Sequence, residues 1–464
     1  MIEYNPKKAY NLIHDGVLAF ARAEQAGMRI DTDYCIKQST RLLRRINRLV
    51  DKIKETKFYR HWEHATNGKP NMNSNQQLAN FLYKTKKIPP AKTTVTGQGA
   101  TDEEALIALN IPELNDILRV RKLKKLKDTY LEGFLREQVN GFLHPFFNLH
   151  TVKTYRSSSD RPNFQNIPKR DKEAMEICRR AIFPRKGHQL LEVDFSGIEV
   201  RIAACYHQDP TMMTYIKDPT TDMHRDMAMQ LFKLKAFDKK IAGHVHLRQA
   251  AKNGFVFPQF YGDYYKNCAV SLACGWGALP AGNWKPKQGV LINEGVHLSD
   301  HLISQGIKNM NAFIEHVKGI EYDFWYNRFP MYRKWKEKCW KKYQETASVE
   351  MFTGFQCYEL MGRNDALNRA IQGTAFHCLL WCFIRLDAIM RKEKWKSRLI
   401  GQIHDAILFD IAPGELEHVA RTVRLVTTGD LVHNLDWISV PLEVEADLAG
   451  VDESWADLKP YKLP

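Results

Sequence analysis

The stretch Leu190 to Ala204, LLEVDFSGIEVRIAA, decides how the rest of the sequence is interpreted. Its first four residues are mostly apolar and favour β-structure, so they predict a short buried strand that ends at Asp194. A carboxylate at the end of a strand is well placed to hold a metal ion. Ser196 and Glu199 then predict the start of a helix, where the two residues also fit a structural capping box. The stretch alone therefore leaves a catalytic and a structural role open.

The composition is that of a soluble globular protein with a large basic excess. The chain has 464 residues, is 44% hydrophobic and 26% charged, and carries a formal net charge of +15. This length suits two or three subdomains, and the charge favours a polyanionic partner, nucleic acid before an anionic membrane surface. We find no signal-peptide core and no apolar run of membrane-spanning length. The nine cysteines form no CxxC pair, so we expect free thiols, a cytoplasmic location and no membrane partner.

The first part of the chain predicts a helical, basic region. Apolar periodicity predicts helices over residues 13–26 and 36–57. Ser74 and Thr101 are each followed three positions later by Gln or Glu, so each predicts the start of a further helix through a capping box.

The densest basic run is RVRKLKKLK, residues 119–127. As a helix it would place Leu123 and Leu126 inward and most of its cations outward. A solvated face is the usual explanation for such a run. Because the whole chain is basic, we favour contact of Lys124 and Lys127 with a nucleic-acid backbone.

A polar, proline-interrupted segment, TYRSSSDRPNFQNIP, occupies residues 154–168. It contains Arg156, Asn163 and Gln165, whose side chains suit phosphates, sugars and base edges. A plain surface loop is the alternative. The segment resembles the signature TGRLSSxxPNLQNIP of the family A (DNA polymerase I-like) polymerases, over a long and specific match.

Two further segments extend this resemblance. Residues 194–199, DFSGIE, are similar to the family's motif A, and residues 222–225, DMHR, resemble its histidine segment. Arg248 and Lys252 lie one helical turn apart, so they can grip a triphosphate together. With the Tyr-Gly pair that begins at Tyr261, they resemble motif B, the fingers helix that carries the incoming nucleotide.

The resemblance implies a role for each of these residues. His224, Arg248 and Lys252 would bind the triphosphate, and Tyr261 would close over the nascent base pair. Glu199 would fill the space that a ribose 2′-hydroxyl needs and so exclude ribonucleotides, a role with which the capping box competes.

Motif B departs from the family pattern. Lys252 to Tyr261 spans nine steps where the family has eight. Pro258 lies inside the predicted helix, where it removes a hydrogen bond and forces a kink. The position that touches the nucleotide sugar is Phe257 when counted back from Tyr261 and Val256 when counted forward from Lys252, and we favour Phe257.

The chain after Gly262 is longer than the family usually needs before the Arg-Phe-Pro segment at 328–330. The excess, about residues 267–306, contains CGWGALPAGNWKPKQG. We expect an irregular insertion at the fingers, of a kind that is often functional or mobile.

Residues 349–362, VEMFTGFQCYELMG, predict a hairpin that leads into a helix over 364–374. Asn368 and Gln372 lie four positions apart, so they share one face of that helix. The family uses the matching residues against the minor groove of the primer-template, whereas the alternative is a pair of solvated amides.

Two apolar runs within residues 399–409, LIGQIHDAILF, flank His404 and Asp405, as in a tight hairpin with a carboxylate at its tip. The segment resembles motif C, normally His-Asp-Glu, with Ala406 in place of the accessory Glu. By the same resemblance Gln402 and His404 would hold primer and template together with Arg156.

Extending a DNA strand requires a 3′-hydroxyl to attack an α-phosphate. Two Mg²⁺ ions about 4 Å apart, with Mn²⁺ as a substitute, can activate the hydroxyl and hold the leaving oxygens. We expect Asp194 and Asp405 to be the catalytic carboxylates and metal ligands, with the carbonyl of Phe195 as a third ligand by resemblance. The two aspartates lie 211 positions apart, so only a fold that pairs their strands can bring them together.

The resemblance implies an α+β right-hand polymerase fold with an antiparallel palm sheet, a helical thumb and helical fingers. The expected regions are 1–150 (palm edge and thumb), 151–204 (palm, motif A), 205–345 (fingers, motif B and the insertion) and 346–464 (palm, motif C and tail).

We expect a monomeric DNA-directed DNA polymerase that binds primer-template DNA and deoxynucleoside triphosphates. The chain contains no residues before the thumb that resemble a proofreading exonuclease, so we expect none within it, with a separate exonuclease or replisome proteins as further partners. A phage or plasmid gene, in a bacterial or phage-infected cell, would suit this compact form. A single-subunit RNA polymerase and a non-catalytic nucleic-acid-binding relic are the alternatives. Glu199 and the segment at 154–168 argue against the first, and retention of the aspartates and the Arg248–Lys252 pair argues against the second.

Overall fold

The structure is a computed structural model that describes residues 4–94, 96–169 and 171–464. These residues form two compact units. The first comprises the described parts of 1–43, 124–217 and 331–464, and the second comprises those of 44–123 and 218–330.

The secondary structure is largely helical, with one sheet of five strands. The α-helices are α1 (Pro6–Ala26), α2 (Thr32–Lys54), α3 (Lys57–Ala65), α4 (Asn75–Ala79), α5 (Glu103–Ala108), α6 (Pro112–Lys124), α7 (Glu132–Glu137), α8 (Lys172–Arg179), α9 (Ile198–His207), α10 (Pro210–Lys217), α11 (Met223–Leu231), α12 (Ala242–Ala251), α13 (Phe257–Phe260), α14 (Tyr265–Ser271), α15 (Leu298–Ser304), α16 (Met310–Asp323), α17 (Pro330–Thr346), α18 (Arg363–Glu393), α19 (Leu416–Arg424) and α20 (Leu431–Asn434). The strands are β1 (Met28–Ile30), β2 (Phe142–Leu143), β3 (Phe146–Asn148), β4 (Ser158–Asp160), β5 (Ile182–Phe183), β6 (Gln189–Phe195), β7 (Leu291–Asn293), β8 (Val296–His297), β9 (Ser348–Glu350), β10 (Gln356–Tyr358), β11 (Arg398–Ile403), β12 (Ala406–Ile411), β13 (Val444–Leu448) and β14 (Lys459–Tyr461).

The five-stranded sheet is the centre of the first unit. Its strand order is β11-β12-β6-β13-β14, and every neighbouring pair is antiparallel. All six residues of β12 are buried, which explains why its sequence, AILFDI, is almost entirely apolar. The predicted strand at 190–193 is confirmed, and the structure extends it by one residue before and two after. Asp194 therefore lies inside the end of β6 rather than after it.

The long helix α18 forms much of the core of the first unit. It packs against α1 and α9. Its length and a mean hydropathy of 1.3 over one window would allow it to cross a membrane, but 67% of that window is buried inside the protein. The sequence does contain an apolar stretch of membrane-spanning length, contrary to our expectation, and burial identifies it as a core helix.

Several predicted helices are confirmed, with shifted ends. The helix predicted at 13–26 is α1, and the one predicted at 36–57 is α2. The Ser74 hydroxyl oxygen accepts a hydrogen bond from the Gln77 amide at 3.1 Å, as its capping role requires.

Two predicted capping boxes are wrong. The cap of α5 is Asp102, one residue after Thr101, and its carboxylate accepts from the Ala105 amide at 2.9 Å. The residue that precedes α9 is Gly197, in a left-handed conformation at φ 61° and without a side-chain cap. The structural alternative for Glu199 therefore does not form.

The second unit is helical, with α11 against α12 and α14 against α16. The segment predicted as an irregular insertion, 267–306, is more regular than expected. It contains most of α14, a π-helical turn at Leu272–Trp276, the hairpin β7–β8 and α15. Gly295, at φ 70°, is the left-handed residue of the two-residue turn between the hairpin strands.

Candidate active site

Strand pairing brings Asp194 and Asp405 together at one end of the first unit's sheet. In the register of β6 with β12, Asp194 lies opposite Ala406. Asp405 precedes Ala406 in the two-residue turn between β11 and β12, and its carbonyl accepts a hydrogen bond from the Phe195 amide at 3.1 Å. The backbone of two adjacent strands thus fixes both predicted metal ligands.

A hydrogen-bond network around the buried Gln402 supports this turn. The Gln402 side-chain oxygen accepts hydrogen bonds from the Ser157 hydroxyl at 2.5 Å and the Gln165 amide at 2.8 Å. Its amide nitrogen donates to the His404 carbonyl. Gln402 is only 1% exposed and supports the turn that carries Asp405, and its predicted contact with DNA stays a prediction.

The electrostatics of Asp405 reflect its burial beside a second carboxylate. Burial, together with the charge of Asp194, raises the pKa of Asp405 to about 6, although Arg156 and Lys169 lower it. The carboxylates of Asp194 and Asp405, beside the Phe195 backbone, make an oxygen donor set of the kind that Mg²⁺ prefers. Within residues 4–94, 96–169 and 171–464, no cluster of three or more His, Cys, Asp or Glu forms a metal site.

Lys169 is a member of the site that the sequence did not reveal. Its Nζ atom lies 2.8 Å from an Asp194 oxygen and 3.1 Å from a Glu192 oxygen. Glu192 is 3% exposed and also accepts from Arg179 at 3.1 Å and from the Trp455 indole at 2.8 Å. Glu192, the one charged residue of the predicted strand at 190–193, was the available signal, since a buried carboxylate requires such partners.

Glu199 and Arg156 form an ion pair. Their side chains are 19% and 33% exposed, so the pair borders solvent. Asn163 is exposed, and its side-chain oxygen accepts from the Asn166 amide at 3.2 Å. Gln165 is half-buried and donates to Ser157 as well as to Gln402.

The carboxylate that the family pattern places after Asp405 is absent from β12. Ala406 is 3% exposed and faces Asp194 from β12. On the other side of β6, the exposed Glu445 of β13 lies directly opposite Asp194. A carboxylate therefore flanks Asp194 from β13 instead of β12.

The remaining predicted DNA contacts of the first unit differ in accessibility. Asn368 and Gln372 are half-buried and lie one turn apart on α18. Lys124 is half-buried at the end of α6. Lys127 pairs with Asp128 at 2.9 Å and with Glu132 at 2.7 Å, so a phosphate contact by Lys127 would have to replace these carboxylates.

The second unit brings four of the predicted nucleotide-binding residues together. Arg248 donates from Nε to Asp222 at 2.7 Å, and Asp222 also caps α11 through the Arg225 amide. Burial, followed by the charges of Lys252 and Arg248, lowers the pKa of His224 to about 4. His224 is thus a neutral hydrogen-bonding group at neutral pH.

A π-helical turn accommodates the extra residue of motif B. It spans Lys252–Val256, between α12 and α13, and the Phe257 amide donates to the Lys252 carbonyl five residues back. Pro258 is the second residue of α13, where its missing amide is tolerated. A widened turn holds one residue more than an α-turn, so the spacing of nine steps is absorbed locally.

The two candidates for the sugar contact, Val256 and Phe257, differ in their exposure. Phe257 is half-buried, its ring centroid lies 5.8 Å from that of His224, and the Lys252 ammonium lies 5.3 Å from it. Val256 is fully buried. The geometry favours Phe257. Tyr261 follows at the end of α13 and is 38% exposed.

Comparison with known proteins relates this architecture to one family. The model of DNA polymerase family A matches residues 32–275 and 315–457, most of the chain. The chain belongs to DNA polymerase family A. The unmatched stretch between these ranges overlaps the segment predicted as an insertion.

Relatives and a solved structure agree with this family A assignment. The chain is 28% identical over 459 residues to the thermostable DNA polymerase I of Thermus aquaticus, covering 95% of this chain and 47% of that protein. It is 28% identical over 404 residues to DNA polymerase I of Pseudomonas aeruginosa, covering 83% and 38%. The chain thus spans about half the length of these relatives, or less. The polymerase domain of Pol1 from M. smegmatis, solved with DNA primer-template and dNTP, superposes with a TM-score of 0.72 at 23% identity over 95% of this chain and 70% of that one. This likeness confirms the predicted right-hand polymerase fold.

Proposed function

We propose that this family A chain adds deoxynucleoside monophosphates to the 3′-hydroxyl of a DNA primer under the direction of a template. The observation that carries the proposal is the pairing of β6 with β12, which sets Asp194 beside the Asp405 turn at the end of a rigid sheet. The M. smegmatis relative was solved with primer-template and dNTP, and we propose the same partners for this chain.

The aspartates would hold two Mg²⁺ ions, or Mn²⁺ in their place, with the Phe195 carbonyl as a further ligand. Bound as a pair, such ions lower the pKa of the attacking hydroxyl and balance the charge of the pyrophosphate leaving group. The chain's contribution is geometric. Paired strands fix the carboxylates, and the Gln402 network holds the turn on which Asp405 lies.

The second unit would bind the incoming nucleotide. Arg248 is oriented by Asp222 through Nε, which leaves its other guanidinium nitrogens for phosphate oxygens. Lys252 adds a second cation, and the neutral His224 adds a hydrogen bond. Phe257 would contact the sugar, and Tyr261 would close over the new base pair.

The ion pair between Glu199 and Arg156 supports the predicted exclusion of ribonucleotides by Glu199. The ion pair with Arg156 holds the carboxylate in one place, as a steric gate requires. Arg156, Asn163, Gln165, Asn368, Gln372 and His404 would hold primer and template.

Primer extension tests the proposal. The full chain is given a primed single-stranded template, Mg²⁺, and either deoxynucleotides or ribonucleotides, beside Asp405→Asn and the matched control Asp51→Asn, which removes an exposed carboxylate. We expect extension with deoxynucleotides only, lost by at least about a thousandfold in Asp405→Asn and retained in Asp51→Asn. Efficient ribonucleotide use would contradict the Glu199 gate, and DNA binding without extension would indicate a non-catalytic relic.

We also propose that this chain carries no 3′–5′ proofreading activity. A primer with a mismatched 3′ end, incubated with Mg²⁺ and without nucleotides, should keep its full length. Shortening of the primer by the wild-type chain and by Asp405→Asn alike would contradict this.

A further inference from the structure

A cavity lies in the first unit, between α1, the C-terminal end of α18 and the start of β11. Its volume is about 670 Å³. Arg398 begins β11, and Asp405 follows its other end, so the cavity lies roughly 20 Å along the strand from the proposed active site. None of the predicted polymerase residues lines it.

The lining of this cavity is strongly basic. Its five cations come from separate segments of the chain, and one carboxylate, Asp387, faces them. The cations are Arg22, Arg185, Arg391, Lys394 and Arg398. Buried Ala23, Met390, Trp395 and Leu399 complete the walls.

Carboxylates orient three of the five cations. Arg22 donates to Asp387 through Nε at 2.8 Å and Nη2 at 2.6 Å, and Arg391 donates to the same carboxylate at 3.2 Å. Arg185 donates to the buried Asp410 at 2.7 Å. One carboxylate thus serves Arg22 and Arg391, which leaves uncompensated positive charge on a preorganised pair of guanidinium groups.

The other two cations belong to the rim. Lys394 and Arg398 are exposed, and neither has an ion pair within the part of the chain that the structure describes. Cations at the C-terminus of a helix are favoured by the helix dipole, which accounts for Arg391 and Lys394 without any ligand. It does not account for Arg22, Arg185 and Arg398, which reach the cavity from other elements.

We propose that this cavity binds phosphate groups, supplied by a free polyphosphate or by the backbone of a DNA strand. Guanidinium groups match phosphate oxygens in paired hydrogen bonds, and the cavity has the size of a small-molecule site. The binding does not rest on the polymerase function, since a chain that extends no primer could still bind phosphate here.

Two double variants of equal charge test the site. Lys394→Gln/Arg398→Gln removes the rim cations. Lys392→Gln/Lys396→Gln removes two exposed lysines that alternate with them in sequence but do not line the cavity. Both double variants are made in the full chain and again together with Arg248→Gln. This third change weakens phosphate binding at the proposed nucleotide site to the same extent in both. Equal melting temperatures establish that both pairs fold.

The first measurement is calorimetric titration with tripolyphosphate in EDTA. We expect the rim pair to weaken binding at the cavity by about tenfold or more and the control pair by less than about twofold. An equal loss in both pairs would mean that net charge alone attracts the anion, and the proposal would be wrong.

A second measurement distinguishes the two sources of phosphate. Primer-templates with a short or a long single-stranded template overhang, the long one about 12 nucleotides, are titrated into the same variants. A loss of affinity in the rim pair for the long overhang alone would identify the DNA backbone. A loss for tripolyphosphate without any loss for DNA would identify a free polyphosphate. If the rim pair matches the control pair for every ligand, the cavity is not a phosphate site.

Discussion

The sheet end that carries Asp194 and Asp405 and the helix that carries Arg248 and Lys252 depart from the family pattern in different ways. The sheet exchanges a side chain, Ala406, and keeps its pairing. The helix gains a residue and absorbs it in a π-helical turn. The sheet accepts a changed side chain, whereas the helix accepts an added residue.

Register explains the difference. Six consecutive pairs join β6 to β12, from Asp194 opposite Ala406 to Gln189 opposite Ile411. A shift of one residue would turn every side chain of a strand to the opposite face. A helix confines an extra residue to one widened turn, so the side chains on both sides of it keep their places.

Inserting one alanine between Ile407 and Leu408 of β12 tests whether the sheet, unlike the helix, fails to tolerate an added residue. Beyond that point the side chains of β12 would exchange the two faces of the sheet, and all six of its residues are buried, so we expect the free energy of unfolding to fall by more than about 4 kcal/mol. Soluble yield and urea unfolding measure the effect. An alanine inserted after Gly68, in an exposed turn of the second unit, is the control and should change little.

Deleting Asn253 tests the helical side. The deletion restores the eight-step spacing and converts the π-turn to an α-turn. We expect a cost of about 3 kcal/mol in the free energy of unfolding, because Pro258 then lies in a tight helical interior. Replacing Pro258 by Ala in the same chain should recover most of that cost. A deletion as damaging as the strand insertion, without rescue, would contradict the comparison.

Acid should destabilise the first unit through a buried histidine of its core helix, α18. His377 is fully buried, and burial lowers its pKa from 6.5 to about 3. Between these values the unfolded chain binds one more proton than the folded chain. This residue alone should therefore reduce the free energy of unfolding by about 1.4 kcal/mol for each pH unit below 6.5.

Urea unfolding at several pH values between about 7 and 5 measures this slope. His377→Asn should be less stable at neutral pH but should show a slope shallower by one proton. An unchanged slope would mean that His377 is protonated in the folded protein. His301→Asn, in the second unit, provides a comparison.

The smallest expected effect concerns the ion pairs that Lys169 makes with the carboxylates of β6. Lys169→Met removes the cation that links Glu192 to Asp194. Since the Lys169 side chain is 52% exposed, and Arg179 and Trp455 still satisfy Glu192, we expect a loss of only about 1 kcal/mol. Urea unfolding beside Lys186→Met, an exposed control, measures it. A loss of several kcal/mol would show that Lys169 is essential to the buried carboxylate.

The local parts of the fold were predictable from the sequence. The strand at 190–193, the hairpin around Asp405 and the Ser74 cap each rest on neighbouring residues, and each is confirmed. The resemblance to family A added the distant pairing of Asp194 with Asp405, which no local pattern specifies.

Other features depend on tertiary partners that local patterns do not contain. Glu192 is satisfied by Lys169, 23 positions before it, and by Trp455, 263 positions after it. The capping box at Glu199 failed because Gly197 adopts a left-handed conformation. The π-turn was not predicted, because an extra residue and a proline in a helix are equally consistent with a kink.

The backbone of His404 limits what can replace this residue. It adopts a left-handed conformation at φ 52°, which costs most side chains about 1 kcal/mol or more and β-branched ones more still. If every amino acid were placed at this position, the variants would differ first in the strain of their backbone and then in the chemistry of their side chains. Gly, Asn and Asp would tolerate the backbone and show the contribution of the imidazole itself, whereas Val, Ile and Thr would report mainly on the strain of the turn.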